Sequence, residues 1–242
     1  NEQYGDVITA LYERMDKIVG WVLEELAPED DLVICSDHGF SSFRRQVDLN
    51  TWLLHKGYMS LQDGGSPADA GPVFHGVDWS KTKAYAIGLA GIYINVDGRE
   101  SQGTVPPSQA PELARTIADE LQGLEDPEAE AYPVSNAVPS EEVYEGDHTQ
   151  DAPDLLVGYR EGYRVSWESA IGGFNGTVTS DNENKWSGDH GLEPDRIPGT
   201  LMTNFSCNPG GDVGLQDLIP GLFDRIGLDV PAEMDGQSEW ME

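Results

Sequence analysis

Short apolar runs alternate with helical segments along this chain, and that alternation restricts the fold more than any other feature. "LVICS" is a continuous apolar run too short for a helix, the pattern of a strand buried on both faces. Before it, "YGDVITALYERMDKIVGWVLEEL" repeats Val7, Leu11, Met15, Ile18, Val22 and Leu26 at three- and four-residue spacing, one apolar stripe on a helix. After it, "VDLNTWLLHKGYM" predicts a short helix stopped by Gly57. "KAYAIG" and "GIYINV" predict two strands around a Gly-containing turn, and "SQAPELARTIADELQGL" an amphipathic helix opening near a Ser cap. "APDLLVGY" and "GTLMTN" predict further strands, and "GLQDLIPGLFDRIGL" a closing helix. Strands alternating with helices imply a layered α/β fold with a largely parallel sheet.

The "LVICS" run ends abruptly in Ser-Asp-His-Gly. In open α/β sheets ligands gather beyond the carboxyl ends of strands, so Asp37 and His38 stand where chemistry is done. A carboxylate oxygen with an imidazole nitrogen suits Zn²⁺, Mn²⁺ or Fe better than Ca²⁺ or Mg²⁺. Gly39 would let the backbone turn away. Two other readings stay open at this point. Asp37 could cap a helix beside an ordinary loop histidine, or Asp and His could form an acid–base pair serving a Ser nucleophile. A second Asp-His-Gly, Asp189-His190-Gly191, lies shortly before "GTLMTN". Of the five histidines, His55, His75 and His148 have no such setting.

Charge decides what the chain cannot bind in general. Fourteen Lys+Arg against 44 Asp+Glu give a formal charge of -30, which repels nucleic acid and anionic membrane surfaces. The few basic residues are mostly Arg. A surface this acidic and Lys-poor fits a protein working in molar salt, and it also fits an ordinary acidic soluble protein. Two cysteines, Cys35 and Cys207, make neither a disulfide framework nor a zinc Cys-x-x-Cys pair. Cys35 is expected to pack as a small hydrophobe. A reducing cytoplasm is the simpler setting, although a single Cys35–Cys207 bridge is compatible with the sequence. No apolar run is long enough to span a bilayer.

Four segments in order resemble one superfamily. "VICSDHGFSSFRRQVDLNTWLLHKGYM", "DWSKTKAYAIGLAGIYINVDGRE", "DAPDLLVGYREGYRVSWESAIGG" and "NKWSGDHGLEPDRIPGTLMTN" are similar to the alkaline phosphatase superfamily. The branch they resemble is that of phosphohydrolase/phosphomutase proteins related to type I phosphodiesterases and nucleotide pyrophosphatases. The resemblance implies a three-layer α/β/α sandwich and two divalent metal ions, zinc or manganese, flanking a Thr or Ser nucleophile. It assigns Asp37 and His38 to the nucleophile-side metal and His190 to the second, and gives Asp189 no role; as a neighbouring acceptor, Asp189 could orient His190. The family's nucleophile, an early Asp ligand and the other ligands of the second metal match nothing in these 242 residues. The chain, which opens "NEQYGDV" without an initiator Met, is therefore expected to be the C-terminal portion of one catalytic domain.

The implied activity is metal-dependent hydrolysis of a small phosphate ester, as a phosphodiesterase or phosphatase. A phosphomutase of the same superfamily and a non-catalytic binding module that kept the fold are the alternatives. Arg44, Arg45 and Lys185 are candidate substrate contacts, because positive charge is scarce here and phosphate needs it. They could equally pair with the abundant carboxylates. Tyr163, Trp167 and Trp186 could line a pocket or serve the core.

Self-repulsion at -30 should destabilise the compact state in dilute buffer. The melting temperature is expected to rise as salt goes from about 0.01 M to 1 M and the Debye length falls from roughly 30 Å to 3 Å. A flat or falling melting temperature over that range would remove the argument for salt adaptation.

Overall fold

The computed structural model describes residues 4–63, 65–67, 71–207, 213–238 and 240. In chain order its elements are α1 (Val7–Glu25), β1 (Val33–Cys35), β2 (Ser41–Val47), α2 (Leu49–His55), β3 (Ala84–Ile87), β4 (Gly91–Ile94), α3 (Ala110–Gln122), β5 (Val134–Pro139), β6 (Leu155–Tyr159), β7 (Gly162–Val165), α4 (Trp167–Ala170), β8 (Thr179–Asp181), β9 (Gly188–Asp189), β10 (Leu201–Thr203) and α5 (Leu218–Arg225). They fall into two compact units, one of residues 38–198 and one of residues 1–37 with 199–242.

The larger unit holds the main core. Its four-stranded sheet runs β3-β4-β6-β5, antiparallel throughout. Alternate residues point inward: Ala84 and Ala86, Ile92 and Ile94, Leu155, Val157 and Tyr159 are all buried. Helix α3 covers this sheet with Ala110, Ala114, Ile117, Ala118 and Leu121, the apolar side of a helix with period 3.6. The Ser cap expected for α3 is absent. Its N-cap is Gln109, without a side-chain bond, preceded by a 3₁₀ turn over Pro107–Gln109. Helix α2 starts where expected: the Asp48 carboxylate accepts from Thr51 N (2.7 Å), and Gly57 follows the helix at φ 77°. Burial pushes the Asp48 carboxyl up, and hydrogen bonds from Thr51, Ser166 and Asn175 oppose that.

The second sheet of this unit is ordered β7-β2-β8, with β9 also pairing β2. Only β2 with β7 is parallel; every other strand pair among the described residues is antiparallel. The chain is thus a mixed α/β protein with several sheets, and the largely parallel sheet expected from the sequence is not what these residues form. An apolar run reports burial and carries no record of strand direction.

The smaller unit shows the same point. β1 pairs antiparallel with β10, Val33 opposite Thr203 and Cys35 opposite Leu201. Cys35 is exposed rather than packed, and both cysteines are free thiols. A small cluster centres on Leu218 of α5 and Trp240, with Val33, Leu201 and Phe205 against it. Helix α1 forms over its predicted span yet buries none of its residues among those described. Leu11 and Met15 of its stripe are about half exposed, at 52% and 50%. No described helix is long and apolar enough to cross a membrane.

Candidate metal centre

Strand pairing explains how two distant histidines meet. β2 and β9 run antiparallel, with Ser41 opposite Asp189 and Ser42 opposite Gly188. Residues just before Ser41 therefore lie beside residues just after Asp189. The rings of His38 and His190 stack with centroids 4.1 Å apart and planes 5° from parallel. Phe40 flanks them, its ring 6.3 Å from that of His190. Its position needs Gly188, because a Cβ there would fall 2.3 Å from the Phe40 ring. Gly39 serves close approach rather than a special turn. Its N–H donates to Ile197 O (2.8 Å), and a Cβ would stand 3.0 Å from Pro198 O.

The donor chemistry is suited to a metal. His38 Nδ1 lies 2.7 Å from Gly39 O, and a carbonyl only accepts, so Nδ1 is the donor in this bond and Nε2 is the ring nitrogen that would ligate a metal. His190 is exposed and His38 half-buried, so both can be reached from solvent. Parallel imidazoles do not converge on one ion. The 4.1 Å between the ring centroids sets the two imidazoles side by side, each with its own in-plane nitrogens. Asp37 is exposed and closes the other unit in sequence, next to His38. Among the described residues no group of three His, Cys, Asp or Glu side chains is arranged around a single point. The histidines would need further ligands.

Asp189 holds the turn that carries His190, but through the backbone rather than the ring. Its Oδ1 accepts from the N–H groups of His190 (2.7 Å) and Gly191 (3.1 Å). Its Oδ2 pairs with Arg164 Nε at 2.9 Å. Arg164 is 2% exposed, with its guanidinium 3.9 Å from the centroid of Trp167 and 5.1 Å from that of Phe43. Burial lowers its pKa and Asp189 offsets part of that. Reading the sequence missed Arg164. The available signal was an Arg inside the strand "GYRVSW", since a cation at a buried strand position requires a carboxylate partner.

The three candidate substrate cations have different fates. Arg44 and Lys185 are exposed. Arg45 is engaged by carboxylates: Nε and Nη2 bond Asp126, Nη2 also reaches Glu128 (2.9 Å), and Nη1 reaches Asp181 (2.7 Å). That gives Arg45 a structural role. Tyr163 is likewise structural, donating its hydroxyl to Asp126 (2.9 Å), while Trp186 is exposed.

No curated protein matches this chain. The model of the type I phosphodiesterase / nucleotide pyrophosphatase family matches residues 3–193, a span that includes Asp37, both stacked histidines and the Arg164–Asp189 pair. With most of its length matched, the chain belongs to the type I phosphodiesterase / nucleotide pyrophosphatase family, within the alkaline phosphatase superfamily.

Proposed function

We propose that this chain forms the C-terminal portion of a phosphoric ester hydrolase, a phosphodiesterase or phosphatase that works with two divalent ions, zinc or manganese. Family membership supports phosphoester hydrolysis. The observation that carries the two-ion reading is the parallel pairing of His38 with His190 at 4.1 Å. Asp37 and His38 would hold one ion and His190 the other. Such ions, when bound, supply charge neutralisation at the phosphoryl oxygens and a more acidic hydroxyl or water. The chain's own residues orient this site. Gly39 O accepts from His38 Nδ1, and Asp189 fixes the turn beneath His190. Exposed Arg44 and Lys185 are the candidate cations for the substrate phosphate.

The exposed stripe of α1 supports the domain reading. Val7, Leu11, Met15 and Ile18 form an apolar face that the described residues leave in water, as expected if further residues of the same sandwich pack there. That absent part would supply the Ser or Thr nucleophile and the remaining ligands.

Calorimetric titration with Mn²⁺ or Zn²⁺ tests the site. His38→Ala or His190→Ala is expected to weaken binding by roughly 10–100-fold or more. The 242-residue chain should not hydrolyse a chromogenic phosphate diester, since a catalytic zinc normally has about three protein ligands. A chain extended upstream should do so, and should lose that activity on His38→Ala. Turnover by the 242 residues alone that vanishes in His38→Ala would place the nucleophile inside them and overturn the domain reading.

A further inference from the structure

Where β2 and β9 pair, one side of the ribbon is open to solvent. Phe40, just before β2, and Ser42 and Arg44 within it are exposed, whereas Ser41 is half-buried and Phe43 is 1% exposed. That alternation puts Phe40, Ser42 and Arg44 on one side. Ser42 stands opposite Gly188, so Gly188 shares that side, and His190 follows it by two residues. An exposed aromatic ring, an exposed cation and a candidate metal ligand thus occupy one side of one ribbon.

Phe40 is held in place with a face to spare. A Cβ built on Gly188 would lie 2.3 Å from its Cε1 and 3.2 Å from both Cδ1 and Cζ, the spacing of an atom that meets the ring edge-on, in its own plane. Gly188 therefore takes up an edge of Phe40 and leaves its faces alone. The contact with His190 is a tilted one, 32° between planes and 6.3 Å between centroids. With 62% of the residue exposed, a ring face stays open to solvent directly beside the candidate ligand. Arg44, two residues beyond Ser42, puts a guanidinium on the same side, where a phosphoryl oxygen would seek it.

We infer that Phe40 is a specificity-determining residue: it stacks an aryl group bonded directly to the ester oxygen, so the site prefers aryl phosphate esters. A flat ring laid on a flat ring gains an offset-stacking contact beyond the burial of apolar surface, and a puckered aliphatic ring gains the burial alone. A nucleoside fits less well. Its sugar holds the base away from the phosphorus, whereas Phe40 stands beside His190 and touches what adjoins the phosphoryl group. The inference rests on the ester-hydrolase reading, and it concerns the chain's own residues, so it can be read out with no ion bound.

The test is an NMR titration of the metal-free 242-residue chain with benzylphosphonate, in which a methylene stands in for the ester oxygen, and with cyclohexylmethylphosphonate. Both carry the same charged group, so repulsion by the acidic surface affects them alike, and about 1 M potassium chloride screens it. The amide signals of Gly188 and His190 report the site. Benzylphosphonate should bind about two- to tenfold more tightly than its cyclohexyl counterpart, the scale of one stacking contact. Phe40→Ala should abolish that preference. Gly188→Ala should also abolish it, because the new methyl drives the ring aside while every aromatic residue is kept. Absence of saturable shifts, equal affinity for the two phosphonates, a preference that survives in Phe40→Ala or in Gly188→Ala, or tighter binding of adenosine 5′-monophosphate than of benzylphosphonate would each overturn the assignment. Titration with Mn²⁺ reads the ions separately: failure there with the aryl preference intact removes the two-ion reading alone, and the reverse result removes this inference alone.

Discussion

Arg45→Ala is expected to cost about 3–5 kcal/mol of stability, because it leaves a buried carboxylate without its counter-charge. Asp126 is 0% exposed and lies between Arg45, the Tyr163 hydroxyl and the Thr179 hydroxyl (3.2 Å). Burial alone would push its carboxyl up. The hydrogen bonds from Arg45, Tyr163 and Thr179 win and hold it below the usual carboxylate range. A folded-state pKa below the unfolded one gives stability that is full above the unfolded value, about 3.9, and is lost as pH falls through the folded value. Without Arg45 the burial effect faces weaker opposition, so this pH-linked gain shrinks or reverses. The gap between wild type and Arg45→Ala should therefore be widest near neutral pH and narrow below about pH 4. Urea denaturation at several pH values measures it. A loss under about 1 kcal/mol at neutral pH would mean that the pair behaves as an exposed one.

Arg164→Ala should be comparably damaging, by about 3–5 kcal/mol, for a partly different reason. It strips Asp189 of its cation and empties the slot between Phe43 and Trp167. Its consequence reaches the metal centre, since Asp189 holds the backbone of His190 and Gly191. Asp189→Asn keeps an oxygen for those two N–H groups but leaves Arg164 as an unpaired buried charge. Both variants should be destabilised in urea, and Arg164→Ala should also broaden or shift the His190 ring resonances. Near-wild-type stability in both variants would show that Arg164 reaches solvent in a way its 2% exposure does not describe.

The two histidines were legible because the same tripeptide, Asp-His-Gly, occurs twice beside predicted strands. What brings them together was not. β2 reads "SSFRRQV", where only Phe43 and Val47 are apolar, too sparse an alternation to announce the strand that all of β7, β8 and β9 pair with. Arg45 was legible as a cation near the motif, but its partners Asp126 and Asp181 come from segments 81 and 136 residues away. Side-chain pairing at such separations leaves no local pattern. Helices α2 and α3 were placed well, because a stopping Gly57 and a 3.6-residue stripe act within one turn or a few. Cys35 was misread for the converse reason: apolar neighbours in sequence did not guarantee neighbours in space.

Helix α1 also sets how this chain behaves in concentrated solution. Its uncovered face carries Ile8, Tyr12 and Trp21, at 69%, 74% and 63% exposure, beside the stripe itself. In dilute buffer the charge of -30 keeps molecules apart, and that face is harmless. Salt shortens the reach of the repulsion to a few ångströms, while excluded anions such as sulfate strengthen apolar burial. A condition that screens self-repulsion within each molecule thus also removes the barrier between molecules. If folding gains from salt as expected, colloidal stability and folding stability of these residues pull in opposite directions along the same salt axis.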